Sequence, residues 1–83
     1  MTTIRIPPTL RTETGGQQHV QAEGGTVRDL LEDLMSRFPK LQGQLEHANV
    51  YLDRQDIRTL EGLDTPVLDE SELILLPAMA GGV

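Results

Sequence analysis

The residues best suited to chemistry in this sequence are two consecutive glycines near its C-terminal end. Gly81 and Gly82 close a run of small or flexible residues that begins after Pro77 and includes Ala80. Fully extended, residues 77–82 reach about 20 Å. Because glycine has no side chain, its backbone approaches other surfaces closely. Such a segment is able to thread a narrow channel and place a carboxyl group in another protein's active site. A frayed, glycine-rich terminus is the competing interpretation.

The side chains that usually catalyse reactions form no recognisable constellation. The two histidines, His19 and His47, are interpreted as surface or partly packed imidazoles, and the absence of cysteine excludes thiolate nucleophiles and disulfides. The acidic residues fall at predicted turns and on a helix surface, which indicates solvated charge. Gly24 and Gly25 precede a helix but lack the lysine and spacing of a phosphate-binding loop. We therefore expect no catalytic residue, no metal site and no bound cofactor, and no enzymatic activity.

Length and charge restrict the classes of partner. The chain has 83 residues, enough for one domain, and a net charge of −6. Nucleic acids and anionic membranes are disfavoured because both require clustered lysine and arginine. The N-terminus lacks a signal-peptide pattern, and no segment approaches the roughly 20 apolar residues of a membrane span. The cytoplasm is the expected location. The charge either steers the protein to a basic partner or serves solubility alone.

One amphipathic helix is predicted with clear ends. Thr26 suits the N-cap, with Asp29 three residues later, and Pro39 stops the helix near Phe38. A single apolar stripe is predicted to face the core: Val27, Leu30, Leu31, Leu34, Met35 and Phe38. Two opposite-charge pairs are predicted on the outer face: Arg28–Glu32 and Asp33–Arg37.

Short strands surround this helix in the sequence. Alternation predicts strands at 3–7, 19–23, 49–52 and 72–76, with a turn over 53–56 and a short edge strand beginning at Ile57. Leu41 and Leu45 predict a further turn of helix. The order predicts a two-layer α+β domain, with a mixed four- to five-stranded sheet and one main helix packed on one face. Residues 1–76 should form this domain, and residues 77–83 a flexible tail.

The last predicted strand is apolar on both faces. Leu73 and Leu75 point one way, and Ile74 and Leu76 the other. Because one helix covers only one face, we expect the other face to expose an apolar patch, which commonly marks a partner surface. Complete burial beneath loops is the alternative.

The element order, the segment DESELILLPAMA and the terminal diglycine resemble the ubiquitin-like sulfur carriers. This family includes the thiamin and molybdopterin carriers and has the β-grasp fold. The segments IPPTLRTETGGQQHV and LPAMAGG are most similar to the carriers of actinobacterial cysteine biosynthesis. The resemblance covers nearly the whole chain and implies a ubiquitin-like fold.

The resemblance also implies a mechanism and a set of partners. An E1-like adenylyltransferase activates the Gly82 carboxylate with ATP, and a sulfur source then displaces AMP to give a thiocarboxylate. Gly81 and Ala80 would thread the active site, while Ile74 and Leu76 match the docking positions of the last strand. The sulfur acceptor would be held by a synthase similar to cysteine synthase, or by an enzyme of cofactor or secondary-metabolite biosynthesis.

Val83 departs from the family pattern, in which mature carriers end at the second glycine. While Val83 is present, the Gly82 carboxyl group is held in an amide and is closed to adenylation. A β-branched valine would also crowd a channel shaped for glycine. We therefore expect a partner peptidase to cleave between Gly82 and Val83, and the resemblance implies a zinc metalloprotease.

Two other functions fit the same residues. A ubiquitin-like protein modifier would be joined through Gly82 to lysines of its targets. Lys40 is the only lysine in the chain, so chains of such a modifier would be limited to Lys40 and the N-terminal amine. An interaction domain would not need the glycines, and its function would survive their deletion.

Overall fold

The computed structural model describes residues 1–45 and 48–77. Within these residues there are two α-helices, α1 (Val27–Arg37) and α2 (Gln42–Leu45). The strands of the same residues are β1 (Thr2–Arg5), β2 (His19–Ala22), β3 (Ala48–Leu52), β4 (Gln55–Asp56) and β5 (Glu72–Pro77). Short 3₁₀ helices occupy Pro8–Thr14, Pro39–Leu41, Ile57–Thr59 and Gly62–Asp64. No helix of these residues is both long and apolar enough to cross a membrane.

The described strands form one mixed sheet in the order β2-β1-β5-β3-β4. β1 and β5 run parallel, and the other neighbouring pairs are antiparallel. The core between the sheet and α1 is almost entirely aliphatic, and α1 contributes Val27, Leu30, Leu31 and Leu34 to it. This arrangement is the α+β architecture predicted from the sequence, with one main helix on one face of a five-stranded sheet.

Helix α1 begins with a variant of the capping box. The Thr26 hydroxyl oxygen accepts a hydrogen bond from the Asp29 backbone nitrogen at 3.3 Å. The Asp29 carboxylate in turn accepts one from the Gly25 backbone nitrogen at 3.2 Å, one residue before the cap. The aspartate thus accepts from the residue before the N-cap, whereas glutamate in the usual motif accepts from the N-cap itself.

Replacing the N-cap residue Thr26 should lower the stability of the domain by a measurable amount. We expect Thr26→Ala to lower the free energy of unfolding by about 1 kcal/mol, because a backbone donor of the first turn loses its partner. Urea denaturation followed by circular dichroism measures the change. The control is Thr9→Ala, at an exposed threonine of the first 3₁₀ helix, which should change the same quantity by less than about 0.5 kcal/mol. Equal losses for the two variants would contradict the capping role.

One of the two predicted ion pairs on α1 is confirmed, and the other is wrong. Arg37 approaches Asp33 at 3.4 Å, as the i,i+4 spacing predicts. Arg28 instead pairs with Asp64 at 3.2 Å, because the 3₁₀ helix Gly62–Asp64 packs beside α1. That carboxylate lies far along the chain, so local spacing does not indicate it.

The prediction that Ile57 begins an edge strand is wrong. The edge strand β4 ends at Asp56, and Ile57 is buried at the start of the 3₁₀ helix Ile57–Thr59. The reason is a cap, since the Asp56 carboxylate accepts a hydrogen bond from the Arg58 backbone nitrogen at 2.9 Å. This bond favours a helical turn over continued pairing along the sheet edge.

The turn before β4 is also shorter than predicted. Asp53 and Arg54 have φ values of 49° and 72° and form the turn alone. Positive φ at both central residues is typical of a type I′ hairpin, whose twist matches the flanking strands. At the far end, β5 includes Pro77, which pairs with Ala48. The sheet therefore extends one residue beyond the domain boundary predicted at residue 76.

Candidate functional site

The predicted reactive residues Ala80, Gly81, Gly82 and Val83 lie outside the described residues. The structure instead describes the base of this segment, where β5 reaches Pro77 in the middle of the sheet. The candidate surface next to this base is built from β5 and its neighbours β1 and β3. We call the side of the sheet opposite α1 the open face.

Side chains of β5 alternate between the core and the open face. Leu73 and Leu75 are 0% and 1% exposed and pack beneath α1. Ile74 is half-buried, and Leu76 is 44% exposed on the other side. The predicted alternation is therefore present, and an apolar pair lies on the open face. The docking role of that pair stays a prediction.

The strand register places a row of side chains across the open face. Ile74 is the partner of Arg5 on β1 and of Tyr51 on β3. On the outer strands, His19 is opposite Arg5 and Asp56 is opposite Tyr51. Partners on adjacent strands share a face of the sheet. The row therefore has an apolar and aromatic centre with polar groups on both sides.

A groove runs beside the end of β5, and we call it the arginine groove. Its volume is about 240 Å³. Arg11 is fixed at its edge because Nε donates a hydrogen bond to the Ile6 carbonyl oxygen at 3.1 Å. The residues lining the groove are Arg5, Ile6, Pro7, Pro8, Arg11, Ile74, Leu75 and Leu76.

Sequence reasoning missed Tyr51, Arg5 and Arg11 as members of this surface. Alternation within β3 was a usable signal for Tyr51, since Val50 and Leu52 on either side of it are buried. For the arginines no local signal exists, because their position beside Ile74 depends on the order of strands in the sheet.

On the β4 side of the row, Asp56 forms an ion pair with Arg58. Arg58 donates to Asp56 from Nη2 at 2.7 Å and from Nε at 3.1 Å. These hydrogen bonds hold the pKa of the Asp56 carboxyl below its usual value, and they raise the pKa of the Arg58 guanidinium. Both groups are charged at neutral pH.

No group of three or more histidine, aspartate or glutamate side chains in 1–45 and 48–77 is placed to hold a metal ion. His19 is exposed on the edge strand β2, and His47 lies outside the described residues. A larger cavity of about 610 Å³ borders α1 and β3, and mostly apolar or uncharged side chains line it, among them Leu31, Met35 and Leu45.

Known proteins are similar to nearly the whole length of this chain. The ThiS family matches residues 4–82. Sulfur carrier protein CysO of Mycobacterium tuberculosis is 36% identical over 90 residues, covering 96% of this chain and 97% of that protein. A chain of the Amycolatopsis orientalis BexX/CysO complex superposes with a TM-score of 0.89 at 38% identity, covering 99% of this chain and 100% of that one. Small archaeal modifier protein 1 of Methanosarcina acetivorans gives 0.84 at 26% identity, covering 98% and 95%.

Proposed function

This chain belongs to the ThiS family, and from that membership we propose that it carries sulfur as a thiocarboxylate on Gly82. The resemblance to sulfur carriers is confirmed, as is the ubiquitin-like β-grasp fold. The relative named CysO is a sulfur carrier protein rather than an enzyme. The observation that carries the proposal is the extent of the family match, which runs through both glycines and stops at residue 82.

The proposed chemistry uses this chain as a co-substrate. A carboxylate is a poor electrophile, so a partner adenylyltransferase first joins the Gly82 carboxylate to the AMP portion of ATP and releases pyrophosphate. Sulfide then attacks the acyl carbon, and AMP leaves. The product is a thiocarboxylate, whose sulfur is a nucleophile tethered to a folded domain. ATP and the sulfur source are bound by the partner.

Two features support docking of the adenylyltransferase on the open face. Ile74 and Leu76 form an apolar pair there, next to the end of β5. From Pro77, Gly82 lies within about 17 Å when the intervening chain is extended. A partner bound to the open face is therefore able to receive Gly82 in its active site while Gly81 and Ala80 occupy the channel leading to it.

The remaining partners follow from the same proposal. A peptidase, of the zinc metalloprotease type, removes Val83 to release the Gly82 carboxylate, and the end of the family match at residue 82 supports this step. The acceptor of the sulfur is bound by a synthase similar to cysteine synthase, or by an enzyme making another sulfur-containing product. The similarity to carriers named CysO favours the first.

Mass spectrometry of the intact protein tests the proposal. A chain ending at Gly82 is incubated with its adenylyltransferase, ATP and sulfide. We expect the mass increase that accompanies replacement of one oxygen by sulfur, and we expect fragmentation to place it on Gly82. Omission of ATP should abolish the product. An unchanged mass under complete conditions would overturn the carrier function.

A protein modifier is the second candidate, favoured by the similarity to small archaeal modifier protein 1. In that case Gly82 would be joined to lysine side chains of other proteins. Proteolytic digests of cells expressing the tagged chain distinguish the two functions. Lysine peptides bearing a remnant of the C-terminal glycines would indicate a modifier, whereas a free thiocarboxylate indicates a carrier.

A further inference from the structure

Two arginines beside β5 have no acidic partner among the described residues. In residues 1–45 and 48–77, the ion pairs involve the N-terminal amine and the side chains of Arg28, Arg37 and Arg58. Arg5, Arg11, Lys40 and Arg54 belong to none of them, although the chain carries 13 acidic residues and only seven lysines and arginines. Of these four residues, only Arg5 and Arg11 line the arginine groove, which makes this pair informative.

The two arginines lie together at the end of the sheet where β5 finishes. Both line the arginine groove with Ile74 and Leu76. Arg5 is exposed and is the register partner of Ile74. Arg11 is held by the bond from its Nε to the Ile6 carbonyl oxygen, which leaves its terminal nitrogens to serve another acceptor.

Two carboxylates, those of Asp53 and Asp69, lie near the opposite end of β5. Asp53 accepts a hydrogen bond from the backbone nitrogen of Glu72, the first residue of the strand. Nearby, Asp69 pairs with the amine of Met1 at the start of β1. This end of the sheet therefore carries carboxylates together with the Met1 amine and Arg54, whereas no carboxylate side chain of the described residues lines the arginine groove.

We propose that Arg5 and Arg11 bind carboxylates of the protein that activates Gly82. This inference rests on the proposed function and adds the chemistry of the partner surface, namely an apolar centre bordered by aspartate or glutamate on the β1 side. A guanidinium matches a carboxylate with two parallel hydrogen bonds. The phosphates of ATP are a poorer match, because the nucleotide must meet Gly82, as much as about 17 Å from Pro77.

Charge reversal provides the first test. We expect Arg5→Glu and Arg11→Glu each to weaken binding to the adenylyltransferase by about tenfold or more, because like charges then face each other. The matched control is Arg54→Glu in the turn after β3, which is exposed and outside the arginine groove. The affinity of this control for the adenylyltransferase should stay within about twofold of that of the unchanged chain. Affinity of the unchanged chain should fall as salt rises, and less steeply in both groove variants.

Cross-linking provides the second test. Arg5→Lys keeps the charge and introduces an amine that a carbodiimide couples directly to a neighbouring carboxylate. We expect a cross-link from position 5 to an aspartate or glutamate of the adenylyltransferase. Lys40, the single lysine of the native chain, is the internal control amine. Cross-links from Lys40 with none from position 5 would contradict the inference.

The outcomes separate this inference from the function it rests on. If the chain ending at Gly82 is thiocarboxylated but Arg5→Glu binds as tightly as Arg54→Glu, the arginine inference is wrong and the carrier function stands. If the chain binds the adenylyltransferase and is never thiocarboxylated, the carrier function fails. Urea denaturation of each variant verifies folding, and Arg5→Glu decides the matter if Arg11→Glu unfolds.

Discussion

A chain that ends at Gly82 should become a thiocarboxylate, whereas the chain that retains Val83 should give no detectable product under the same conditions. The physical reason is the peptide bond between Gly82 and Val83, which holds the Gly82 carboxyl group in an amide. An amide carbonyl carries no oxygen able to attack ATP as a carboxylate does. Adenylation, the first step of activation, therefore does not occur at Gly82. Addition of the peptidase to the longer chain should restore the reaction, and a zinc chelator should prevent that restoration.

A substitution separates this chemical block from a steric one. Val83→Gly leaves Gly82 in an amide but removes the β-branched side chain. If the amide at Gly82 is the obstacle, this variant will give no thiocarboxylate. If the valine side chain is the obstacle, the variant will be thiocarboxylated on its new terminal residue, which fragmentation identifies. Equal thiocarboxylation of the uncut native chain would overturn the requirement for trimming.

Leu76→Asp should reduce the affinity for the adenylyltransferase by at least about 30-fold, equivalent to about 2 kcal/mol. Leu76 is 44% exposed on the open face, and the substitution would bury an unpaired carboxylate in the complex. The free energy of unfolding should change by less than about 0.5 kcal/mol, as is usual at a surface position. Titration calorimetry measures the affinity, and urea denaturation the stability.

The control for this prediction is another exposed leucine. Leu68→Asp makes the same chemical change at a residue that is 63% exposed and lies in the segment before β5, outside the arginine groove. We expect its affinity to remain within about twofold of the original. Similar affinities for Leu68→Asp and Leu76→Asp would exclude the open face as the docking surface.

Features set by neighbouring residues were predictable from the sequence. The cap at Thr26, the apolar stripe of α1 and the alternation of Leu73 with Ile74 each depend on a period or a motif within a few residues. The reactive glycines are different, because their composition alone also fits a frayed terminus. Their assignment depends on the resemblance to a family, which the match over residues 4–82 bears out.

Features set by contacts between distant residues were not predictable in this way. Arg28 forms an ion pair with Asp64, 36 positions away in the sequence, rather than with Glu32 in the next turn of the helix. The short β4 ends where the Asp56 carboxylate caps the following turn. The arginine groove requires β1 and β5 to be adjacent and parallel, which no local pattern indicates.

The central place of β5 has a consequence for how the protein matures. β5 lies between the β1–β2 hairpin and the β3–β4 hairpin, yet the ribosome makes it after both. Without β5 the two hairpins have no strand to join them, so the sheet closes only after nearly all of the domain has been synthesised. The open face and the glycines that follow β5 thus become available together. Under the proposed function, an unfinished chain therefore offers the activating enzyme neither a place to bind nor a carboxylate to activate.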